Sequence, residues 1–135
     1  MATIKWNPAL EVGHPEIDQQ HRELFRRLDA LVEAMAAGDR KEIGLLFDFL
    51  GGYVVEHFGE EERLMQESAF PGQTIHKAAH ERFVRDYQAL RKLFDENGPT
   101  AAVVIKTKTW IADWLVAHIG ATDQQLAKHL LRKSA

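Results

Sequence analysis

The chain has 135 residues, 45% hydrophobic and 27% charged, with only nine glycines and four prolines. This length is typical of one hydrophobic core and predicts a single domain over residues 1–135, and the composition excludes a disordered or collagen-like chain. With 17 basic and 20 acidic residues the net charge is −3, a balance that favours neither nucleic acid nor an anionic membrane surface as a partner.

The apolar pattern and the residue types present narrow the possibilities further. No apolar run approaches the roughly 18–20 residues that span a bilayer, and the opening MATIKWNPALEVGHPE lacks the features of a signal peptide. We therefore expect a cytoplasmic protein. Because the chain has no cysteine, any metal would be held by nitrogen and oxygen atoms, so the seven histidines carry most of the chemical information.

Helical spacing of the apolar residues predicts an all-α protein. The first predicted helix ends at Gly38, and the second starts after Asp39 and stops before Phe70. The first, third and fourth cover about residues 16–37, 74–96 and 100–118, with a short fifth helix over 121–132. Long helices joined by short turns pack as antiparallel neighbours. The prediction is an up-down-up-down four-helix bundle with an N-terminal loop and a short C-terminal helix.

Several histidines are predicted to lie at one height in this bundle. His21 is about 17 residues before the first turn and His57 about 18 residues after it, which places them level in antiparallel helices. Glu61 and His80 are similarly level across the second turn, and His80 and His118 nearly so across the third. All four helices therefore direct nitrogen or oxygen donors to one layer.

Spacing along each helix selects the faces. His57 and Glu61 are four residues apart, as are His76 and His80, so each pair shares one helical face. The next pair, His118 and Asp123, is five residues apart, which on a regular helix points the side chains some 140° apart. We expect a break or a π-bulge near Gly120 to bring Asp123 back.

Each of these residues also has a purely structural interpretation. A lone helical histidine is usually at the surface or hydrogen-bonded in the core, and Asp123 could be an N-cap. Glu61 stands in the run Glu60-Glu61-Glu62, which by itself is most often a solvated face. Burying five histidines and two acids together without partners would cost several kcal/mol each, whereas a metal would satisfy them jointly. The metal-binding interpretation is therefore favoured.

The motifs HFGEE, HKAAH and HIGATD, together with His21 and the opening VGHPEIDQQH, resemble the hemerythrins, in particular the single-domain bacterial hemerythrins. The resemblance runs from about Trp6 to Leu130. It implies a non-haem di-iron centre with an oxo or hydroxo bridge that binds dioxygen. It also implies that one iron is bound by His76, His80 and His118. By the same resemblance, the other iron is bound by His21 and His57, and Glu61 and Asp123 bridge the two irons.

Counting positions at two six-coordinate irons leaves one free, on the iron with two histidines, and a free position is what a ligand-binding metal needs. Apolar groups must keep that position dry. Phe58 and Ile119 directly follow proposed ligands, Trp114 precedes His118 by four residues, and Phe25 follows His21 by four. These four residues are the predicted oxygen pocket. Ordinary core packing is the alternative, and it is the stronger interpretation for Phe25 and for Trp110. Tyr53 and Tyr87 are weaker candidates for hydrogen bonds to ligands.

Reversible binding of dioxygen, as a carrier or a store, is the leading functional prediction. A di-iron peroxidase or oxidase could use the same residues, and steady turnover would distinguish it. A third alternative is a sensor of oxygen or redox state that acts through a partner protein, and an unidentified oxygen-using protein could equally receive the oxygen. A structural zinc site is disfavoured, because zinc usually takes four ligands and seven would be surplus.

Overall fold

A computed structural model describes residues 6–134, and those residues are almost entirely helical. The first three helices are α1 (Pro15–Ala37), α2 (Arg40–Glu67) and α3 (Gln73–Asn97). The fourth begins as α4 (Ala101–Lys106) and continues through a π segment (Thr107–Ile111), α5 (Ala112–Ala117), a second π segment (His118–Asp123) and α6 (Gln124–Ser134). We call residues 101–134 the C-terminal rod. The all-α four-helix prediction is confirmed, and the predicted fifth helix is present as α6, which continues the rod without a turn.

The helix ends follow from local residue chemistry. His14 caps α1 by accepting a hydrogen bond from the Ile17 amide, with Pro15 in the first turn, and Gly38 ends the helix with a φ of 81°, a conformation that glycine adopts without a steric penalty. Asp39 caps α2 by accepting hydrogen bonds from two amides of the first turn. Tight caps of this kind keep the connections short and make successive helices antiparallel.

Within the loop predicted at the N-terminus, Pro8–Leu10 forms one 3-10 turn, and residues 1–5 lie outside the described residues. The carboxylate of Asp18 accepts hydrogen bonds from the backbone amides of Val12 (2.8 Å) and Gly13 (3.1 Å). This contact holds the segment against the start of α1. Within residues 6–134, every helix is too short or too polar to cross a membrane.

The core is built from the apolar faces of all four helices, which pack as α1 on α2, α2 on α3 and α3 on α4. Glycine within a helix lowers its stability by about 1 kcal/mol relative to alanine, and close packing gives a reason for the glycine at position 51 of α2. A Cβ added there would lie 2.9 Å from the ring of Tyr87, so only glycine lets this side chain approach. The Tyr87 hydroxyl then donates a 2.7 Å hydrogen bond to the Phe47 carbonyl.

Candidate metal centre

The seven residues predicted as ligands come from all four helices and meet in the bundle interior. His21 lies on α1, two residues on α2, two on α3 and two in the second π segment of the C-terminal rod. None of the seven is more than 6% exposed. They are His21, His57, Glu61, His76, His80, His118 and Asp123. A cluster with this much polar and ionisable surface removed from water needs an internal partner for its atoms.

The donor atoms fall into two groups, each close enough together to hold one metal ion. One group is formed by three histidines with both carboxylates, and the other by two histidines with the same two carboxylates. The members are His76, His80, His118, Glu61 and Asp123 in the first, which we call the three-histidine group, and His21, His57, Glu61 and Asp123 in the second, the two-histidine group. The shared carboxylates mean that the two sites adjoin.

The two oxygens of Glu61 point to different groups. Its Oε1 lies 3.4 Å from His76 Nε2 and 3.2 Å from His80 Nε2. Its Oε2 lies 3.7 Å from His57 Nε2 and 4.0 Å from His21 Nε2. A carboxylate in this orientation can give one oxygen to each of two metal ions.

Asp123 divides its oxygens in the same way. Its Oδ1 lies 3.1 Å from His76 Nε2 and 3.2 Å from His118 Nε2, whereas its Oδ2 lies 3.0 Å from His21 Nε2. Two ligand atoms bound at right angles to one ion, at roughly 2.1 Å each, lie about 3 Å apart. The observed separations therefore suit donors that surround a common ion.

The orientation of Asp123 depends on the π segment that starts at His118. A π turn contains more than four residues, so it returns a residue five positions later to the same face. The expected departure from regular helix near Gly120 is thus confirmed. Gly120 itself is exposed, and a Cβ added there would meet nothing within 4 Å, so the π turn does not depend on close packing at this position.

Charge in the cluster is distributed unequally between the carboxylates. Burial, followed by the neighbouring Asp123 carboxylate, raises the pKa of Glu61 well above its usual value. Burial acts in the same direction on Asp123, but the imidazoles of His118, His21 and His76 outweigh it and hold the pKa of Asp123 well below its usual value. Without a metal, burial and mutual repulsion therefore disfavour the ionised form of Glu61, whereas the neighbouring imidazoles favour the ionised form of Asp123.

Three histidine pKa values also shift. Burial is the main cause that lowers the pKa of His57 to about 3 and that of His80 to about 2, with repulsion from neighbouring imidazoles adding to it. For His76, burial lowers the pKa, but contacts with Asp123 and Glu61 outweigh it and raise the pKa to about 9. His57 and His80 are thus already neutral, the form that binds metal, whereas His76 must lose a proton.

Unsatisfied atoms support a cation in this place. Both oxygens of Glu61, both oxygens of Asp123 and both ring nitrogens of His21 lack an aligned hydrogen-bond partner among residues 6–134. These nitrogen and oxygen atoms lie close to one another without forming hydrogen bonds, although buried polar groups nearly always form them. Nitrogen and oxygen donors without thiolates suit iron among other divalent metals. The residues present therefore fit a pair of bound metal ions.

Two residues that contact the cluster were not identified from the sequence. The Nδ1 of His57 lies 2.6 Å from Gln20 Oε1, and the Nδ1 of His80 lies 3.1 Å from Glu62 Oε2. The expectation that Glu62 lies on a solvated face is therefore wrong. Its carboxylate reaches His80 on α3 instead of facing solvent alone, and burial raises its pKa.

Aromatic rings cover the three-histidine group directly. Phe58 stacks on His80, with ring centres 3.8 Å apart and planes 4° from parallel, and Trp114 stacks on His118 at 4.3 Å and 12°. The ring of His57, in the other group, is 5.9 Å from Phe58. These two predicted pocket residues thus lie mainly against the three-histidine group.

The other apolar and aromatic candidates occupy different places. Phe25 is 2% exposed and Ile119 1% exposed, so both are buried. Trp110 stacks on Phe83 at 5.1 Å. The tyrosines have partners elsewhere: Tyr87 donates to a backbone carbonyl, and the Tyr53 ring lies 4.4 Å from the guanidinium of Arg27.

An antiparallel helical bundle whose four helices supply a buried cluster of histidines and carboxylates defines a helical-bundle protein with a site able to bind metal. Residues 12–130 match the profile of the Hemerythrin HHE cation binding domain. The chain belongs to the hemerythrin family.

Individual relatives agree with this assignment over nearly the whole chain. This chain is 36% identical over 127 residues to a bacteriohemerythrin of Methylococcus capsulatus, and the match covers 92% of this chain and 94% of that protein. A bacteriohemerythrin of Stenotrophomonas maltophilia is 32% identical over 127 residues, covering 94% and 81%. The crystal structure of a wild-type hemerythrin superimposes with a TM-score of 0.86 at 33% identity, covering 96% of this chain and 98% of that one.

Proposed function

We propose that this protein binds dioxygen reversibly, as a carrier or a store, at a haem-free centre of two iron ions. The observation that carries the proposal is the division of the carboxylate oxygens. Glu61 and Asp123 each present one oxygen to the three-histidine group and one to the two-histidine group. Two ions that share both carboxylates can act together on one small ligand.

The ligand count suggests where dioxygen binds. Three histidines would hold one iron and two would hold the other, with both carboxylates bridging. If each iron is six-coordinate and one solvent-derived oxygen also bridges them, the iron of the two-histidine group keeps one free position, beside His21 and His57. When bound, two ferrous ions supply the electrons on which dioxygen binding depends.

The surrounding side chains would keep this centre dry. Phe58 and Trp114 cover the three-histidine group by direct stacking. Phe25 lies one helical turn after His21, and Ile119 lies within the π segment that carries Asp123. We assign these two buried residues to the two-histidine side, where they would exclude water from the free position.

The test combines metal analysis with optical spectra. After anaerobic loading, we expect two irons per chain and an absorption band that appears with oxygen and disappears under inert gas, through repeated cycles. One iron per chain, or full occupancy by zinc alone under equal supply of both metals, would contradict the proposal. Continuous oxygen consumption with a reductant, without accumulation of the oxygen-dependent band, would instead favour the peroxidase or oxidase alternative.

A further inference from the structure

The Nδ1 atoms of the clustered histidines, which face away from the shared carboxylates, differ in what they contact. In His57, His76, His80 and His118, as in His21, the Nε2 atom is the one that faces the shared carboxylates. A histidine that binds metal through Nε2 carries its hydrogen on Nδ1, and an acceptor for that hydrogen fixes both the tautomer and the ring orientation. The partners of Nδ1 therefore bear on metal binding.

Side-chain acceptors serve one histidine in each group. Gln20 accepts from His57 in the two-histidine group, and Glu62 accepts from His80 in the three-histidine group. Among the described residues, the Nδ1 atoms of His21 and His76 have no hydrogen-bond partner. The two acceptors also differ in charge, because Gln20 is a neutral amide and Glu62 is a carboxylate.

His80 is contacted on three sides. Its ring is stacked by Phe58 on one face, its Nε2 meets Glu61 and its Nδ1 meets Glu62. Hydrogen bonds to a charged acceptor are roughly twice as strong as neutral ones. A carboxylate on the outer nitrogen also makes the imidazole a stronger donor to a metal.

We propose that Glu62 is a positioning residue that fixes His80 as an Nε2 ligand and strengthens its donation, so that metal binds more tightly at the three-histidine group than at the two-histidine group. Gln20 performs only the orienting part of this role for His57. The inference rests on the proposed function, because it assumes that both groups bind metal.

Glu60 supplies a matched control for Glu62. The two side chains are 29% and 27% exposed and lie two residues apart on α2, but Glu60 pairs with the surface residue Arg63. The experiment titrates the purified metal-free protein with Co²⁺ in competition with a chelator. The variants are Glu62→Ala, Glu62→Gln and Glu60→Ala.

We expect Glu62→Ala to lower the affinity for the first Co²⁺ by about 10–100-fold. We expect a smaller loss for Glu62→Gln, which keeps an acceptor, and little change for Glu60→Ala. NMR of the Co²⁺-loaded protein gives a readout that general destabilisation would not move. One exchangeable imidazole N–H resonance should shift in Glu62→Gln and exchange faster with solvent in Glu62→Ala, while Glu60→Ala leaves it unchanged.

Two results would overturn the inference. Equal affinities in Glu62→Ala and Glu60→Ala would show that Glu62 does not act on the metal, even if the parent protein binds two ions. A parent protein that fails to bind two ions would contradict the proposed function itself, and the inference with it. If Glu62→Ala does not fold, the comparison of Glu62→Gln with Glu60→Gln decides the question in the same way.

Discussion

Replacing Ile119 with alanine should both destabilise the protein and expose the proposed oxygen site. Ile119 is 1% exposed, so truncation removes three buried carbons and should cost about 2–5 kcal/mol of unfolding free energy. At roughly 4 °C per kcal/mol for a domain of this size, Tm should fall by about 8–20 °C. The space left, on the order of 80 Å³, exceeds the roughly 30 Å³ that one water occupies in the liquid.

Water enters a cavity only where it finds polar partners. In the proposed pocket, those partners would be the donor atoms of the metal centre. We therefore expect faster oxidation of the centre to the ferric form, measured as faster loss of the oxygen-dependent absorption band. Ile111→Ala is the matched control. Ile111 is also 1% exposed, and it lies eight residues earlier in the same rod, roughly 12 Å away along the axis.

The assay is the first-order decay of the oxygen-dependent band in both variants, alongside thermal unfolding. The two variants should lose similar stability, but only Ile119→Ala should oxidise faster. Equal acceleration in both would show that oxidation follows global opening rather than local water access. An unchanged rate in Ile119→Ala, despite the expected loss of stability, would refute the assignment of Ile119 to the pocket. If the alanine variants unfold, Ile119→Val and Ile111→Val make the same comparison at about 0.5–1.5 kcal/mol each.

Three further predictions concern the cluster and the core around it. Metal binding should raise Tm, because it adds about 4 kcal/mol to the free energy of unfolding when free metal is 1,000 times the dissociation constant. Glu61→Gln should abolish this rise, whereas Glu60→Gln should keep it. An equal response in both variants would argue against a bridging Glu61. Because the pKa of His76 is raised to about 9, metal must displace its proton at pH 7. The affinity for metal should therefore rise with pH up to about 9, and metal addition should acidify a weakly buffered solution. A pH-independent affinity would contradict this prediction. Tyr87→Phe should cost about 1 kcal/mol in denaturant unfolding, by losing the bond to the Phe47 carbonyl, without changing metal affinity.

The sequence determined much of the fold and the meeting of the donor side chains. Helix rise and period are constants of the backbone, so turn positions place His21 level with His57, and four-residue spacing puts Glu61 on the His57 face. The same constants showed that a regular helix cannot align Asp123 with His118, which led to the expected π turn. These are arguments within one helix or across one short turn, and they need no side-chain packing.

Only the tertiary structure decided which side chains contact the outer nitrogens of the donor histidines. Glu62 follows Glu61 and is rotated about 100° from it on α2, so the sequence alone suggested solvent on that side. In the fold α3 lies there, and His80 reaches the carboxylate. Gln20 likewise meets His57 because α1 packs on α2. Contacts between helices depend on how each helix is rotated about its axis and on which side chains fill the gap, and neither is fixed by spacing along a single chain.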